Sequence, residues 1–522
     1  MVPANVSDYV RSRAATSPQG RALVEDAAKM PGITWAELDA AIDRLASALS
    51  GLGLVAGHRV GLAAVNSIGS VTAYFAIVRA GYVVVPMNPR GYVSEAAHII
   101  ADSGLRVVLA DAVGVEVIRA LKLSGDGPQV VVSGTKVKRG ELAIADVLAR
   151  ASGVTPPSPT DPEALAALPY TADASGNPRG VMLTHRALIA NIEQVAAVEP
   201  TTMPPGAIVL GLLPIFHMYA LNAILGQAAR QGAKVVLVDG FNPDGVLDAI
   251  QREGVTTVPI APPVIAAWAG RPDLAVKLAK VKHVLSGAAV LDPELGEEFE
   301  RTSGTTVEQG YGMTEAAPVV ATTVGVPRVG GAGPKRGSVG RPLPGIDLRI
   351  VDTTGADAGV SDPGEIWIRG ANLFSGYWPD AEGGPNADGW YATGDVGILD
   401  EDGDLSVVER LGELIVVSGF NVYPFEVEEV LAGVPGLAAV AVIAMSDELT
   451  GEAVQAFVVP SDPSLDHETL VTAVREFSDL KLAPYKRPAK IVVIDTLPYE
   501  LSGKVSKGRL RSFARSEALG LS

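Results

Sequence analysis

Four short runs rich in β-branched residues, at 59–65, 82–86, 106–110 and 129–133, have helix-like stretches such as 71–80 between some of them. Alternation of this kind reads as parallel α/β structure. A Pro-rich segment at 155–162 interrupts it, and a second alternating series follows at 208–213, 234–238, 256–260 and 281–285. Two α/β lobes are therefore expected, without clear evidence of a repeat. Ahead of both series, Thr34 and Glu37 have capping-box spacing. Leu38, Ile42, Leu45 and Leu49 then recur at helical intervals up to Gly51, which predicts one surface helix.

From about Ser338 the texture changes. Segments 348–351, 365–369 and 396–408 read as antiparallel strands, with Asp402-Gly403 as a hairpin turn. After Arg410 a smaller pattern predicts a helix near 425–431, strands at 439–444 and 453–459, a helix at 467–482 and a strand at 490–494. The fold class expected is α/β: a large N-terminal domain, residues 1–410, of two α/β lobes plus a β-rich module, and a smaller, mobile C-terminal α+β domain, residues 411–522.

Composition narrows the chemistry. The 522 residues include no cysteine, which excludes disulfides, Cys-ligated metals and a cysteine nucleophile; any thiol must come from a substrate. A net charge of −17 argues against a nucleic-acid partner or an anionic-membrane surface. The basic residues are concentrated in the tail, with ten Lys or Arg against four Asp or Glu between Arg475 and Arg515. Residues 1–10 lack a cationic leader and an apolar core segment, so the expected location is cytoplasmic. The apolar run 207–229 is broken by Pro214, His217, Asn222 and Gln227, and predicts a strand, a loop and a helix rather than a transmembrane segment.

The most informative segment is 170–184, Y-T-A-D-A-S-G-N-P-R-G-V-M-L-T. Small and hydroxyl residues let backbone N–H groups and side chains wrap phosphate oxygens, and Arg179 offsets their charge. Four further segments follow in order: Gly287-Ala288-Ala289, Q-G-Y-G-M-T-E at 309–315, W-Y-A-T-G-D at 390–395, and Ser502-Gly503-Lys504. Together these five resemble the adenylate-forming superfamily of acyl-CoA synthetases, plant coumarate-CoA ligases, luciferases and peptide-synthetase adenylation domains. The resemblance covers nearly the whole chain. It is strongest to the acyl- and aryl-CoA ligase branch, through L-P-I-F-H-M-Y-A-L-N at 213–222 and S-G-F-N-V-Y-P-F-E-V-E at 418–428.

The resemblance implies a two-step reaction. A carboxylate attacks the α-phosphate of ATP to give an acyl-adenylate, and a thiol then displaces AMP. Lys504 matches the lysine that bridges the two anions, Glu315 the Mg2+ ligand, and Thr314 a phosphate-contacting hydroxyl. Thr171, Ser175, Gly176 and Arg179 match the phosphate loop. Tyr311 would stack on adenine beside Gln309 and Gly310, with Gly287 and Ala288 giving the base close access to backbone. Asp395 and Arg410 match the ribose contacts. His217, Tyr219, Ala289 and Val319 would line the acyl pocket, whose small-residue wall suggests room for an extended apolar tail. Gly419 and Phe420 match the loop that threads pantetheine. The implied co-substrates are ATP and CoA, the acid being fatty or aryl-aliphatic, in a monomer or homodimer.

Some positions depart from the family. Asp173 replaces a glycine beside the phosphates, where a pair of like charges at about 4 Å repels by about 1 to 4 kcal/mol. Arg179 replaces a lysine, and Gly412, Val416 and Ser418 stand where coumarate-CoA ligases carry lysines. Three readings stay open: an acyl-CoA ligase, which leads; an acyl-AMP ligase loading the phosphopantetheine arm of an acyl carrier protein; and an ATP-impaired acyl-binding homologue.

Overall fold

The computed structural model describes residues 3–25, 32–123, 127–172, 178–326, 335, 337–352, 354–410, 413, 415–417, 420–447, 450–499 and 505–518. The chain forms two compact units, Met1–Leu348 with Ile368–Tyr391, and Arg349–Trp367 with Ala392–Ser522.

The first unit holds the two expected lobes. One sheet runs, in spatial order, Leu183–Thr184, Leu165–Ala167, Val83–Met87, Arg59–Ala63, Val107–Ala110, Gln129–Val132 and Leu142–Ala143. All neighbours are parallel except the edge strand Leu183–Thr184. Every residue of Val83–Met87 is buried, which explains its unbroken apolar sequence: helices cover both faces of a parallel sheet, so no position is left for a polar side chain. Helix Trp35–Ser50 packs here. Its capping box, with Thr34 Oγ1 accepting from the Glu37 N–H and Glu37 accepting from the Thr34 N–H, fixes the start, and Leu38, Ile42, Leu45 and Leu49 are all buried.

The second sheet has nine strands: Arg341–Pro342, Val319–Thr322, Val307–Gly312, His283–Ser286, Thr257–Ile260, Ile208–Gly211, Lys234–Leu237, Arg21–Glu25 and Ile33–Thr34. Its core gathers Trp268, Phe299, Val258 and Leu247, each fully buried. The last two strands in that order come from the start of the chain, with Leu23 in parallel register with Val235. No local pattern predicts this pairing, because the partner lies about two hundred residues away. The apolar run 207–229 resolves into strand Ile208–Gly211, a loop, π-helix Tyr219–Gly226 and helix Gln227–Gln231, in agreement with expectation. Among the described residues no helix is long and apolar enough to cross a membrane.

The second unit carries the larger share of a four-stranded sheet, Ile346–Val351, Gly364–Gly370, Tyr391–Leu399 and Leu405–Arg410. It also contains a five-stranded sheet in which Gly451–Pro460 pairs with Leu437–Asp447, Ile415–Val417 and Lys490–Val493. Helices Pro424–Leu431 and His467–Lys481 bury Val427, Leu431, Leu470 and Val474 against it.

Candidate active site

Ligands of open α/β sheets bind outside the carboxyl ends of the strands. In the nine-stranded sheet, His283–Ser286 and Val307–Gly312 lie side by side in parallel, with Ser286 opposite Gln309. Their outgoing segments therefore emerge together. One is Gly287-Ala288-Ala289, in which Ala288 is exposed and takes a positive φ of 69°, a conformation that costs a non-glycine residue roughly 1 kcal/mol. The other carries the half-buried Gln309, Gly310 and Tyr311, then a tight turn Thr314–Ala316. Strand Val319–Thr322 returns antiparallel, pairing Tyr311 with Ala321 and Gly310 with Thr322.

Glu315, on that turn, is buried, and three residues distant in sequence converge on it. Thr171 Oγ1 donates to Glu315 Oε1 at 3.3 Å, and the Tyr377 hydroxyl donates to the same oxygen at 2.9 Å. The Phe374 N–H donates to the Glu315 backbone carbonyl at 2.9 Å. Thr171 and Arg179 are register partners in a two-stranded ribbon, Tyr170–Ala172 with Pro178–Gly180. The Arg179 guanidinium lies 3.6 Å from the centre of the Tyr377 ring. Thr171 and Arg179, expected to belong to a phosphate loop, and the acid Glu315, predicted separately, thus gather around Tyr377. Burial, reinforced by the Glu315 carboxylate, pushes the Tyr377 phenol up to about 12, so it stays protonated and donates at neutral pH. Asp173, Ser175 and Gly176 lie outside the described residues.

A second wall is built from the π-helix and the segment before it. Tyr219 opens that helix, and burial pushes its phenol pKa upward. A Cβ on Gly287 would meet the Tyr219 ring at 2.8 Å, so the glycine is the seat on which this ring packs. The small-residue wall predicted to leave room for an extended apolar tail is, at Gly287, filled by Tyr219. His217 is exposed at the surface, although the protein packed around it holds its pKa below the usual histidine value, and its ring centre is 4.5 Å from that of Phe216. Ala289 and Val319 are half-buried.

Sequence reasoning missed Tyr377 and three buried asparagines. Asn372 Nδ2 donates to the carbonyl of Ala316 at 2.7 Å, Asn222 Nδ2 to that of Ala317 at 2.6 Å, and Asn191 Nδ2 to that of Val319 at 2.7 Å. They satisfy the backbone just after Glu315, where Ala317 has a positive φ of 63°. The available signal was an amide interrupting an apolar stretch, as in A-L-N-A-I at 220–224.

In the second unit, Asp395 is buried and lies in register with Arg410 across the antiparallel pair Tyr391–Leu399 and Leu405–Arg410, so the two predicted ribose contacts are neighbours. Gly403, in the connecting turn, has the positive φ that the Asp402-Gly403 reading requires. Phe420 begins strand Phe420–Val422. Lys504, Gly412, Ser418 and Gly419 lie outside the described residues, although Tyr499 and Val505 form an antiparallel bridge on either side of the Lys504 segment.

Residues 10–378 match the family model of AMP-binding enzymes, and residues 426–504 match that of the AMP-binding enzyme C-terminal domain. A feruloyl-CoA synthase of Amycolatopsis sp is 35% identical, over 96% of this chain and 97% of its own. A 4-coumarate–CoA ligase 3 of Oryza sativa subsp. japonica is 33% identical, over 92% of this chain and 87% of its own. Among solved structures, ATP-bound MatB from Rhodopseudomonas palustris superimposes with a TM-score of 0.87 at 29% identity, covering 98% of this chain and 99% of that one. The chain belongs to the AMP-binding enzyme family, in the acyl-CoA ligase branch of the adenylate-forming superfamily. It is an AMP-forming acid–CoA ligase, an enzyme that uses ATP and CoA and acts through an acyl-adenylate.

Proposed function

We propose that the acid activated here is aryl-aliphatic, a flat aromatic ring on a short chain ending in a carboxylate. The observation that carries this reading is the Tyr219 ring packed on Gly287, which fills space along the wall expected to line the acyl pocket and offers an aromatic surface there. The names of the two relatives above, a feruloyl-CoA synthase and a 4-coumarate–CoA ligase, support it.

In the first step the carboxylate oxygen forms a bond to the α-phosphorus, and the bond from that phosphorus to the bridging oxygen breaks, releasing pyrophosphate. Two anions must meet, so Lys504 supplies the cation between them, while Thr171, Ser175, Gly176 and Arg179 hold the phosphates. Gln309, Gly310, Tyr311 and Ala288 take the adenine, Gly287 seats the Tyr219 ring on the acid side, and Asp395 and Arg410 take the ribose hydroxyls. In the second step the CoA thiol, guided along Gly419 and Phe420, attacks the acyl carbon, and AMP leaves.

A Mg2+ ion fits Glu315. Among the described residues no three acidic or histidine side chains converge as a cage, and Mg2+ is commonly held by one or two carboxylates with substrate phosphates and water. With Thr314 beside it, Glu315 would hold the ion, which would neutralise phosphate charge.

The test is pyrophosphate exchange across ferulate, coumarate, cinnamate, octanoate and palmitate. Exchange with the three aryl acids well above the two fatty acids is expected, and preference for palmitate would overturn the reading. Release of AMP that depends on free CoA separates this enzyme from a ligase that loads a carrier protein.

A further inference from the structure

We propose that Tyr377 is a positioning residue for adenylation, aiming the Glu315 carboxylate through its hydroxyl and carrying Arg179 on its ring face, and that Tyr391 orients Tyr377. This rests on the reading of Glu315 as a group at the reacting phosphates.

The number of available hydrogens sets the direction of each hydrogen bond. An ionised carboxylate only accepts, and a phenol has one hydrogen to give. The contact of 2.9 Å between the Tyr377 hydroxyl and Glu315 Oε1 therefore uses the hydrogen of Tyr377. The Tyr377 and Tyr391 oxygens are also 3.2 Å apart, a distance that becomes a hydrogen bond when Tyr391 donates. The chain thus runs in one direction, from Tyr391 to Tyr377 to Glu315, and polarises the Tyr377 hydroxyl toward the carboxylate. Packing fixes both donors. The Phe374 ring stands edge-on to Tyr377 at 5.0 Å and to Tyr391 at 4.9 Å, and the Phe374 backbone grips the Glu315 carbonyl. The face of Tyr377 carries the Arg179 guanidinium. One ring thereby sets the spacing between a cation on the phosphate-loop ribbon and the acid opposite it. Misplacement of a catalytic group by about 1 Å can cost on the order of a hundredfold in rate.

Tyr377→Phe deletes only the hydroxyl and keeps the ring for Arg179 and Phe374. The expected result is a fall of about tenfold or more in kcat for pyrophosphate exchange, an acid KM within about twofold of the parent, and an unchanged melting temperature. Glu315→Gln should also lose exchange. In the Glu315→Gln background, adding Tyr377→Phe should change kcat by less than about threefold, because the two groups act as one unit. Tyr391→Phe should lower kcat by a smaller factor than Tyr377→Phe. Wild-type kcat in Tyr377→Phe beside a crippled Glu315→Gln overturns the proposal and leaves the reading of Glu315 standing, as do losses in the two variants that multiply in the double variant. Wild-type exchange in Glu315→Gln instead overturns the reading on which the proposal rests.

Discussion

Lys504 and Gly287 carry opposite kinds of prediction, one from motif chemistry and one from geometry. Only adenylation joins two anions, so Lys504→Ala should reduce pyrophosphate exchange by a factor of about a hundred or more while preformed acyl-adenylate still reacts with CoA. Single-turnover assays of the two half-reactions check this, and equal losses in both would remove the assignment. At Gly287 the added methyl of Gly287→Ala would sit 2.8 Å from the Tyr219 ring. The ring must shift, at about 1 to 3 kcal/mol of overpacking. Steady-state kinetics should show the acid KM raised several-fold with the ATP KM changed much less; the reverse pattern would mean that Gly287 serves the nucleotide instead. Glu315 and Gly287 were readable as candidates because each sits in a contiguous motif. Tyr377 was not, since its partner Glu315 lies 62 positions away and a lone aromatic in F-S-G-Y-W carries no spacing signal.

Among the elements, the helix Trp35–Ser50 was legible from end to end, because its cap and its apolar stripe are both local signals. Thr34→Ala removes the acceptor for the Glu37 N–H and should lower unfolding free energy by about 0.5 to 2 kcal/mol, read as a lower denaturant midpoint, with kcat unchanged. The helix His185–Ala196 makes a different prediction. His185 is fully buried, and the Val6 N–H donates to its Nδ1 at 3.3 Å, a contact only the neutral ring accepts. Burial lowers its pKa from 6.5 to about 4. The unfolded chain therefore takes up a proton below about pH 6.5 that the folded chain refuses until about pH 4. The stabilisation is complete above pH 6.5 and is lost as pH falls toward 4, at about 1.4 kcal/mol per unit. Urea denaturation at pH 7 and pH 5 should differ by about 2 kcal/mol more in the parent than in His185→Asn; identical pH dependence in the two proteins would refute the assignment.

At the scale of the whole molecule, the roles proposed for Lys504 in adenylation and for Gly419 and Phe420 in thiol delivery would have these residues serve one acyl group in turn in the two half-reactions. The domain from about residue 411 should therefore rotate between them, with Gly412 as the hinge because it has no Cβ to restrict φ and ψ. Gly412→Pro should slow one half-reaction at least several-fold more than the other, the sign depending on which orientation it favours. Separate rates for adenylation and thioester formation decide the point, and equal slowing would place the hinge elsewhere.

What the sequence determined by itself was whatever repeats within a few residues or stays contiguous. The alternating strands and helices of both lobes, the Asp402-Gly403 hairpin and the five motifs in order are of this kind, since burial period, turn chemistry and phosphate-binding loops are written locally. What only the tertiary structure decided involves partners far apart in the chain. The strand Arg21–Glu25 enters the sheet of the second lobe beside Lys234–Leu237. The Tyr219 ring takes the space above Gly287, and three asparagines from separate segments hold the turn after Glu315. Tyr377 meets Thr171, Arg179 and Tyr391 around one carboxylate. Such contacts depend on which surfaces chain folding brings together, and a hydrogen bond or a close packing distance has no counterpart in the order of residues until that happens.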